Sequence, residues 1–227
     1  RIVPERGGLI TEWRCKGKEV LYFDKERFLE KAKSVRGGIP ILFPICGDLV
    51  GDCLLLPQAK NRLHQHGFAR DSSWEISLLE DHLGVSLKFC DNDFTRAFYP
   101  HYFMVEIEAR LKETRLKLDI TIQNRGKTLM PFCFGLHPYF NVSDLNKTFL
   151  KGLKAKCINQ LNMQEENTEE QILKLSKGVD FISGPSEIVK IIDLSSPNFI
   201  QLEHQYPMDL SVVWTDPPRS MICVEPW

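Results

Sequence analysis

The sequence predicts an all-β protein in which many short antiparallel strands form a large sandwich or barrel. The strongest observation is the alternation of apolar and polar residues over residues 102–123, the pattern of strands with one face in water. Other short apolar runs are bounded by glycine, proline and further turn residues. Helical periodicity is almost absent from the chain, which agrees with an all-β fold.

The first part of the chain combines strands with loops. Strands are predicted over residues 7–15 and 19–23, with a tight hairpin turn at residues 17–18. Glycine and proline then interrupt residues 31–56 so often that we expect a long ordered loop, of the kind that often carries function. Alternation at Trp74, Ile76 and Leu78 predicts the next strand.

The clearest element is an antiparallel hairpin. Apolar residues occupy the odd positions from 103 to 111 and the even positions from 116 to 122, with a turn at 112–114. Further strands are predicted over residues 85–89, 130–136, 187–194, 199–203, 210–214 and 221–225. A helical turn or two is expected over residues 93–98, and residues 162–175 are either helical or a mobile excursion.

Composition excludes several classes of function. The 29 Lys and Arg residues nearly balance the 30 Asp and Glu residues, so no basic field is available for nucleic acid. No apolar run reaches the ~20 residues that cross a bilayer, and we expect a cytoplasmic protein without a membrane partner. The seven cysteines are scattered, which argues against a disulfide framework or a zinc ribbon. We expect residues 1–227 to form a single domain, truncated at both ends because the chain begins at Arg1 and stops at Trp227.

His137 is the first candidate for chemistry. It precedes Pro138, which pushes its backbone towards the extended conformation and gives the imidazole a fixed direction. Imidazole titrates near neutral pH and can pass a proton to or from a substrate oxygen. The alternative is a histidine that packs among aromatic residues and hydrogen-bonds a backbone carbonyl.

Glu225 is the second candidate and also precedes a proline. It follows apolar residues 222–224, so its carboxylate can point into a cavity walled by core residues. Burial raises the pKa of a carboxylate and a nearby arginine lowers it, and together they can poise a general base. An exposed strand end is the alternative.

Other polar residues allow more than one interpretation. His64 and His66 would share a face on a strand and could begin a metal site completed by His137 and Glu225. Alternatively, His66 binds a sugar hydroxyl and His64 faces solvent. Arg36 and Arg70 could each bind a phosphate or carboxylate, or be merely solvated.

Two pairs of residues in the second half of the chain could contact a sugar. Asp180 and Asp216 lie in loop-like sequence and could accept hydrogen bonds from hydroxyls. Trp214 and Trp227 offer flat apolar faces for a sugar, although ordinary core packing is the more common role of tryptophan.

Four short motifs occur in a characteristic order along nearly the whole chain. They are Arg36-Gly37-Gly38-Ile39-Pro40, Gln65-His66-Gly67-Phe68-Ala69-Arg70, Gly135-Leu136-His137-Pro138-Tyr139-Phe140 and Val224-Glu225-Pro226-Trp227. The chain thereby resembles the aldose 1-epimerase (mutarotase) family, and within it the glucose-6-phosphate 1-epimerase-like branch. The resemblance implies a galactose mutarotase-like antiparallel β-sandwich (supersandwich) with a sugar cleft across one sheet.

The resemblance also implies roles for individual residues. His137 matches the proton-donating histidine and Glu225 the catalytic base, while Asp180 resembles a hydroxyl-binding aspartate. Substrate-cleft positions are matched by Arg36, Gln65, His66 and Arg70. The two arginines among them resemble those that hold a 6-phosphate. Pro138 departs from the phosphosugar branch, which more often has threonine there, so both a hexose and a hexose 6-phosphate stay open as substrates.

The implied activity is that of an isomerase which interconverts α and β anomers by acid/base ring opening. The expected partner is a small-molecule sugar or sugar phosphate, no metal or other cofactor is needed, and the oligomeric state stays open. Two other classes remain possible at this point. One is a carbohydrate-binding or sensing protein without turnover, and the other is a metal-dependent enzyme that uses His64, His66 and His137.

Overall fold

The computed structural model describes residues 1–56, 59–184 and 186–227, and it describes side chains outside residues 55–61. Its strands are β1 Ile2–Val3, β2 Leu9–Ile10, β3 Arg14–Cys15, β4 Lys18–Glu19, β5 Ile41–Leu42, β6 Cys53–Leu56, β7 Ala59–Arg62, β8 Glu75–Leu78, β9 Gly84–Cys90, β10 Phe103–Lys112, β11 Arg115–Asn124, β12 Gly135–Leu136, β13 Tyr139–Asn141, β14 Thr148–Lys151, β15 Lys156–Asn159, β16 Gln164–Asn167, β17 Asp180–Ser183, β18 Ile188–Asp193, β19 Phe199–Glu203, β20 Ser211–Trp214 and β21 Met221–Pro226.

Helices are few and short in the described part of the chain. The α-helices are α1 Lys25–Leu29, α2 Asp93–Phe98 and α3 Thr168–Ile172, and 3₁₀ turns lie at Val50–Asp52, Ala69–Asp71, Leu145–Lys147 and Leu175–Lys177. None of the helices described is long and apolar enough to span a bilayer. The helix expected over residues 93–98 is confirmed, and a capping box between Asn92 and Thr95 starts it.

The chain divides into two compact units. The first unit comprises Arg1–Ile10, Cys15–Lys18 and Pro40–Phe134. Its largest sheet has the antiparallel order β11-β10-β9-β8, and the predicted hairpin is confirmed as β10 and β11. The alternation works as expected on β10, because Phe103, Val105 and Ile107 are buried. Phe43 contributes to the same core, with its ring centroid 5.0 Å from that of Phe103.

The second unit comprises Thr11–Arg14, Glu19–Ile39 and Gly135–Trp227. Its main sheet has six strands in the order β13-β21-β20-β17-β15-β16, and a three-stranded sheet has the order β14-β18-β19. The strand pairs recorded in both of these sheets are antiparallel. The all-β prediction is therefore confirmed, and strands predicted over residues 187–194, 199–203, 210–214 and 221–225 occur as β18 to β21.

Several predicted elements differ in extent. The strand predicted over residues 7–15 forms only in part, as β2 and β3. The hairpin turn predicted at residues 17–18 lies one residue earlier, at Lys16 and Gly17, whose φ angles are 50° and 79°, and it joins β3 to β4. Of the strand predicted over residues 130–136, only β12 forms. The preceding residues are held by loop contacts instead, such as the 2.8 Å bond from the Cys133 amide to the Pro44 carbonyl.

Exposure also differs from the prediction at β8. Trp74, just before β8, is buried, but Ile76 and Leu78 are exposed, and the whole of this edge strand is exposed. Residues 162–175 contain β16 as well as α3. The sequence patterns did not identify β13 to β17, most of which are short and lack a clear alternation.

Gly67 holds the loop that follows β7 against the core of the first unit. Its φ of 71° lies in the left-handed region. A Cβ at this position would lie 2.3 Å from the Phe43 carbonyl oxygen. The same oxygen accepts hydrogen bonds from the Phe68 and Ala69 amides at 3.1 and 3.2 Å. The loop therefore requires glycine at this position for two separate reasons, backbone conformation and space.

We predict that Gly67→Ala lowers the free energy of unfolding by roughly 2–4 kcal/mol, the sum of left-handed strain and overpacking. Gly17→Ala is the matched control, since Gly17 also has a positive φ of 79° but no heavy atom within 4 Å of its Cβ position. The control should lose only the left-handed strain, about 1–2 kcal/mol. Urea denaturation followed by circular dichroism measures both, and equal losses would contradict the steric part of the argument.

Candidate active site

One face of the six-stranded sheet gathers the candidate residues of the second unit. Directly opposed residues on neighbouring strands project to the same face of a sheet. Tyr139 on β13 pairs with Cys223 on β21, Cys223 pairs with Trp214 on β20, and Trp214 pairs with Asp180 on β17. These four side chains therefore form one row across four strands.

Glu225 belongs to the same face because it lies two residues after Cys223 on β21. The glutamate is 2% exposed, so the alternative of an exposed strand end is wrong. Its Oε2 accepts a hydrogen bond of 3.1 Å from the indole Nε1–H of Trp227. The indole can only donate, so this contact fixes the orientation of the carboxylate and leaves Oε1 directed elsewhere.

His137 meets the other carboxylate oxygen. Its Nε2 lies 3.2 Å from Glu225 Oε1, within hydrogen-bonding distance. The imidazole stacks on the Tyr139 ring with centroids 4.7 Å apart and an interplanar angle of 6°. Trp214 meets it edge-on, with centroids 6.0 Å apart and an angle of 80°. Two aromatic rings and one carboxylate therefore hold the imidazole.

The glycine pair before Ile39 places the chain beside β13. The Tyr139 amide donates to the Gly38 carbonyl at 2.9 Å, and the Gly38 amide donates to the Tyr22 carbonyl at 2.8 Å. A Cβ on Gly37, whose φ is 136°, would lie 2.5 Å from the Phe23 Cα. Glycine at this position allows the close approach that brings Arg36 to the site face.

Arg36 lies against that face with partly neutralised charge. Its guanidinium carbon is 5.2 Å from the centroid of the Trp214 ring, a cation–π arrangement. Arg36 Nε lies 3.9 Å from Asp216 Oδ2, and the same carboxylate oxygen accepts a 2.6 Å bond from Arg219 Nη1. Arg219 also lies 3.7 Å from Asp24. Two arginines and two aspartates thus form a chain of alternating charge beside Trp214.

Asp180 is not in a loop, so that expectation is wrong. It is the first residue of β17, and its Oδ1 accepts a 2.7 Å hydrogen bond from Gln160 Nε2. The carboxylate is half-buried on the same sheet face as Trp214. It can therefore act as a hydrogen-bond acceptor with a fixed orientation.

Gln65, His66 and Arg70 lie in the first unit, in the loop that Gly67 anchors. The histidines do not share a strand, because His64 and His66 follow the end of β7 and His66 has a left-handed φ of 65°. The predicted metal site required His64 and His66 to share one face of a strand, and that prediction is wrong. His66 Nδ1 accepts a 3.0 Å bond from the Gly47 amide, so the neutral ring carries its proton on Nε2.

The neighbouring side chains brace this loop. Arg70 Nη2 donates to the Gln65 carbonyl oxygen at 2.9 Å, and Arg70 Nε lies 3.6 Å from Asp71. Exposed Gln65 donates from Nε2 to Asp48 at 3.0 Å. One ordered loop of the first unit thus carries the imidazole of His66 and the guanidinium of Arg70.

Sequence reasoning missed Tyr139 and Cys223 as members of the site. A usable signal was present, since each lies two residues from a candidate, Tyr139 after His137 and Cys223 before Glu225. Among the described residues, His137, Cys223 and Glu225 also form the one group of buried potential metal ligands. Their ligand atoms lie within 4.8 Å of one another.

Antiparallel sheets and a buried imidazole–carboxylate pair define this as an all-β protein with a site suited to acid/base chemistry. Residues 2–226 match the family model described as aldose 1-epimerase. The chain belongs to the aldose 1-epimerase family and is an isomerase.

Two relatives match 97% of the chain and carry the name "Putative glucose-6-phosphate 1-epimerase". The protein from Escherichia coli K12 is 28% identical over 239 residues, and the match covers 76% of its length. The protein from Cenchrus ciliaris is 26% identical over 252 residues, and the match covers 72% of its length.

Solved structures confirm the galactose mutarotase-like fold. The Slr1438 protein from Synechocystis sp. PCC 6803 aligns with 100% of this chain and 80% of its own, with a TM-score of 0.94 and 34% identity. A galactose mutarotase-like protein from Lactobacillus casei aligns with 99% of this chain and 83% of its own, with a TM-score of 0.80 and 21% identity.

We predict that Cys223 resists thiol reagents in the folded protein while Cys133 reacts. Burial raises the pKa of the Cys223 thiol well above its usual range, and the Glu225 carboxylate adds to that effect. Cys133 is exposed. Labelling at pH 8, mapped by mass spectrometry, should be more than about 100-fold slower at Cys223, because access requires local opening. In denaturant the two rates should converge, and rapid native labelling of Cys223 would contradict its burial.

Proposed function

We propose that this protein interconverts the α and β anomers of a hexose or hexose 6-phosphate by acid/base ring opening. His137 is the acid that protonates the ring oxygen, and Glu225 is the base that removes the proton from the C1 hydroxyl. The observation that carries the proposal is the 3.2 Å approach of His137 Nε2 to Glu225 Oε1 on one buried sheet face.

The spacing of these two groups suits the reacting oxygens. The C1 hydroxyl oxygen and the ring oxygen are bonded to the same carbon, so an acid and a base must reach two neighbouring atoms together. Two side chains in direct contact can each reach one of those oxygens at hydrogen-bonding distance. Groups far apart on the sheet could not act on one anomeric centre.

The proton transfers balance over a complete turnover. In ring opening, Glu225 gains the hydroxyl proton and His137 gives one to the ring oxygen as the C1–O bond breaks. Rotation about the C1–C2 bond then exposes the other face of the aldehyde. In closure, His137 takes a proton back from the ring hydroxyl and Glu225 returns one to the C1 oxygen, so the enzyme regains its starting protonation state.

Neighbouring groups support these roles by holding the pair in place. The Trp227 N–H orients the Glu225 carboxylate, and the stack on Tyr139 fixes the plane of the imidazole. Preorganised groups lose little freedom in the transition state, which favours ring opening over the binding of either anomer. On the same face, Trp214 offers an aromatic surface and Asp180 a hydroxyl acceptor. Binding roles for Arg36, Gln65, His66 and Arg70 stay predictions from the family resemblance.

We predict that His137→Ala and Glu225→Gln each lower the catalysed rate of anomer exchange by about 10²–10⁴-fold, the usual contribution of positioned proton transfer. Polarimetry of fresh α-glucose and α-glucose 6-phosphate, or NMR exchange between their anomers, measures the rate. Matched controls are His82→Asn and Glu75→Gln, which change exposed residues of the first unit and should leave the rate unchanged.

Circular dichroism shows whether the His137 and Glu225 variants remain folded. A folded variant with wild-type exchange would refute the role assigned to that side chain. Wild-type protein that binds sugar while exchange runs at the buffer rate would instead favour a carbohydrate-binding function.

The phosphosugar alternative rests on the names of the relatives and on Arg36, whose guanidinium lies over Trp214. If Arg36 binds a 6-phosphate, Arg36→Met should lower kcat/KM for glucose 6-phosphate about 10–100-fold more than for glucose, since charged hydrogen bonds contribute roughly 1.5–3 kcal/mol. The ratio between the two substrates cancels any general damage to the site. Exposed Arg115, changed to Met, is the control, and an unchanged ratio in Arg36→Met would exclude phosphate binding by this side chain.

A further inference from the structure

The buried face of the six-stranded sheet contains a third reactive side chain that the proposed mechanism does not use. Cys223 is fully buried, and it lies beside two groups that can ligate metal, His137 and Glu225. One ligand atom from each of the three residues lies within 4.8 Å of the other two. This cluster combines a nitrogen, a sulfur and an oxygen donor around one point.

The donor set selects for a borderline-soft divalent ion. Zinc accepts cysteine sulfur at about 2.3 Å and histidine nitrogen at about 2.0–2.1 Å, so its donor atoms lie roughly 3–4 Å apart. His137 Nε2 and Glu225 Oε1, 3.2 Å apart, already have that spacing, and the Cys223 sulfur lies within 4.8 Å of a ligand atom of each residue, so it must approach by no more than about 1–2 Å. When the ion binds, the thiol releases its proton to solvent. The resulting thiolate and the carboxylate supply two negative charges against the two positive charges of the ion, which leaves a buried complex without net charge. Magnesium is a hard ion that prefers oxygen ligands and does not suit a thiolate.

The surrounding structure holds these donors in place before any ion arrives. Cys223 and Glu225 project from the same face of β21, and the stack on Tyr139 orients the imidazole of His137. The nearby positive charge of Arg36 is offset by Asp216, 3.9 Å away. Three protein ligands leave the fourth position of a tetrahedral ion open, as in zinc sites of the three-ligand type.

We propose that His137, Cys223 and Glu225 form a zinc-binding site, and that Zn²⁺ bound there inhibits the enzyme. Inhibition follows because the ion takes the lone pair of the imidazole and the charge of the carboxylate. Neither group can then transfer a proton. The inhibitory consequence rests on the proposed function, whereas the binding site itself does not.

Metal binding is tested without reference to activity. Metal-free protein titrated with Co²⁺ should show a thiolate-to-cobalt charge-transfer band that saturates at one ion per chain, and Zn²⁺ should displace it while Mg²⁺ should not. Competition with a chromophoric chelator gives the zinc affinity. Cys223→Ser should remove the band and weaken zinc binding by more than about 100-fold, beyond the loss typical of an outer-shell change.

The matched control is Cys157→Ser, which changes another buried cysteine of the second unit and should leave the band and the zinc affinity intact. Cys223→Ala serves as a second variant, and circular dichroism checks the folding of each. The absence of a charge-transfer band in the wild-type protein, or the same band and affinity in folded Cys223→Ser, would overturn the site.

The inhibitory role has its own test. Zn²⁺ at concentrations that fill the site should abolish accelerated anomer exchange, a chelator should restore it, and the exchange rate of Cys223→Ser should be insensitive to the same concentrations. Full activity of wild-type protein with one bound zinc would overturn inhibition. Failure of the proposed function is seen separately, as metal-free wild-type protein that does not accelerate exchange although the cobalt band forms.

Discussion

The alternation of side chains along β21 is the constraint on which the site depends. Met221, Cys223 and Glu225 share one face of the strand, while Ile222 and Val224 project to the other. The registers of β21 with β13 and β20 then determine which side chains lie next to these three residues. A slip of one residue would move the Glu225 carboxylate to the opposite face and replace it with an aliphatic side chain. Strand pairing thus determines which reactive side chains share this face, and the individual contacts between them follow from it.

The second requirement is that the imidazole be held where β21 places the carboxylate. His137 is not itself in a described strand, yet it stacks on Tyr139 at the start of β13. Tyr139 is hydrogen-bonded through its backbone to Gly38, so the glycine pair and the histidine are parts of one local arrangement. Two motifs that are far apart in sequence therefore support each other. The first carries Arg36 and Gly38, and Gly38 is the backbone partner of Tyr139 in the motif that carries His137.

Whether a strand could be predicted from the sequence depends on how its apolar residues are arranged, either alternating with polar ones or in a short continuous run. The β10–β11 hairpin was predicted because polar and apolar residues alternate along it. By contrast, β16 is polar throughout and was not identified, whereas β21 is buried on both faces and was predicted from a short apolar run without alternation. His137 and Glu225 could be selected because each precedes a proline. Tyr139 and Cys223 each lie two residues from a candidate, but strand register, which no local pattern contains, decides that they share a row with Trp214 and Asp180. The His64–His66 hypothesis assumed a strand where the chain turns.

The same physical features that suit the site to proton transfer also suit it to metal binding. A base and an acid must approach closely and be shielded from water to act on one anomeric carbon. A closely spaced, dehydrated nitrogen and oxygen also supply two of the three protein ligands of the proposed zinc site. Cys223, two positions before Glu225, projects from the same face of β21 and can supply the third. An aliphatic side chain at position 223 would pack equally well but could not bind a metal ion. With Cys223 at that position, the neutral thiol packs as a small apolar group, and its ionised form completes a three-ligand set.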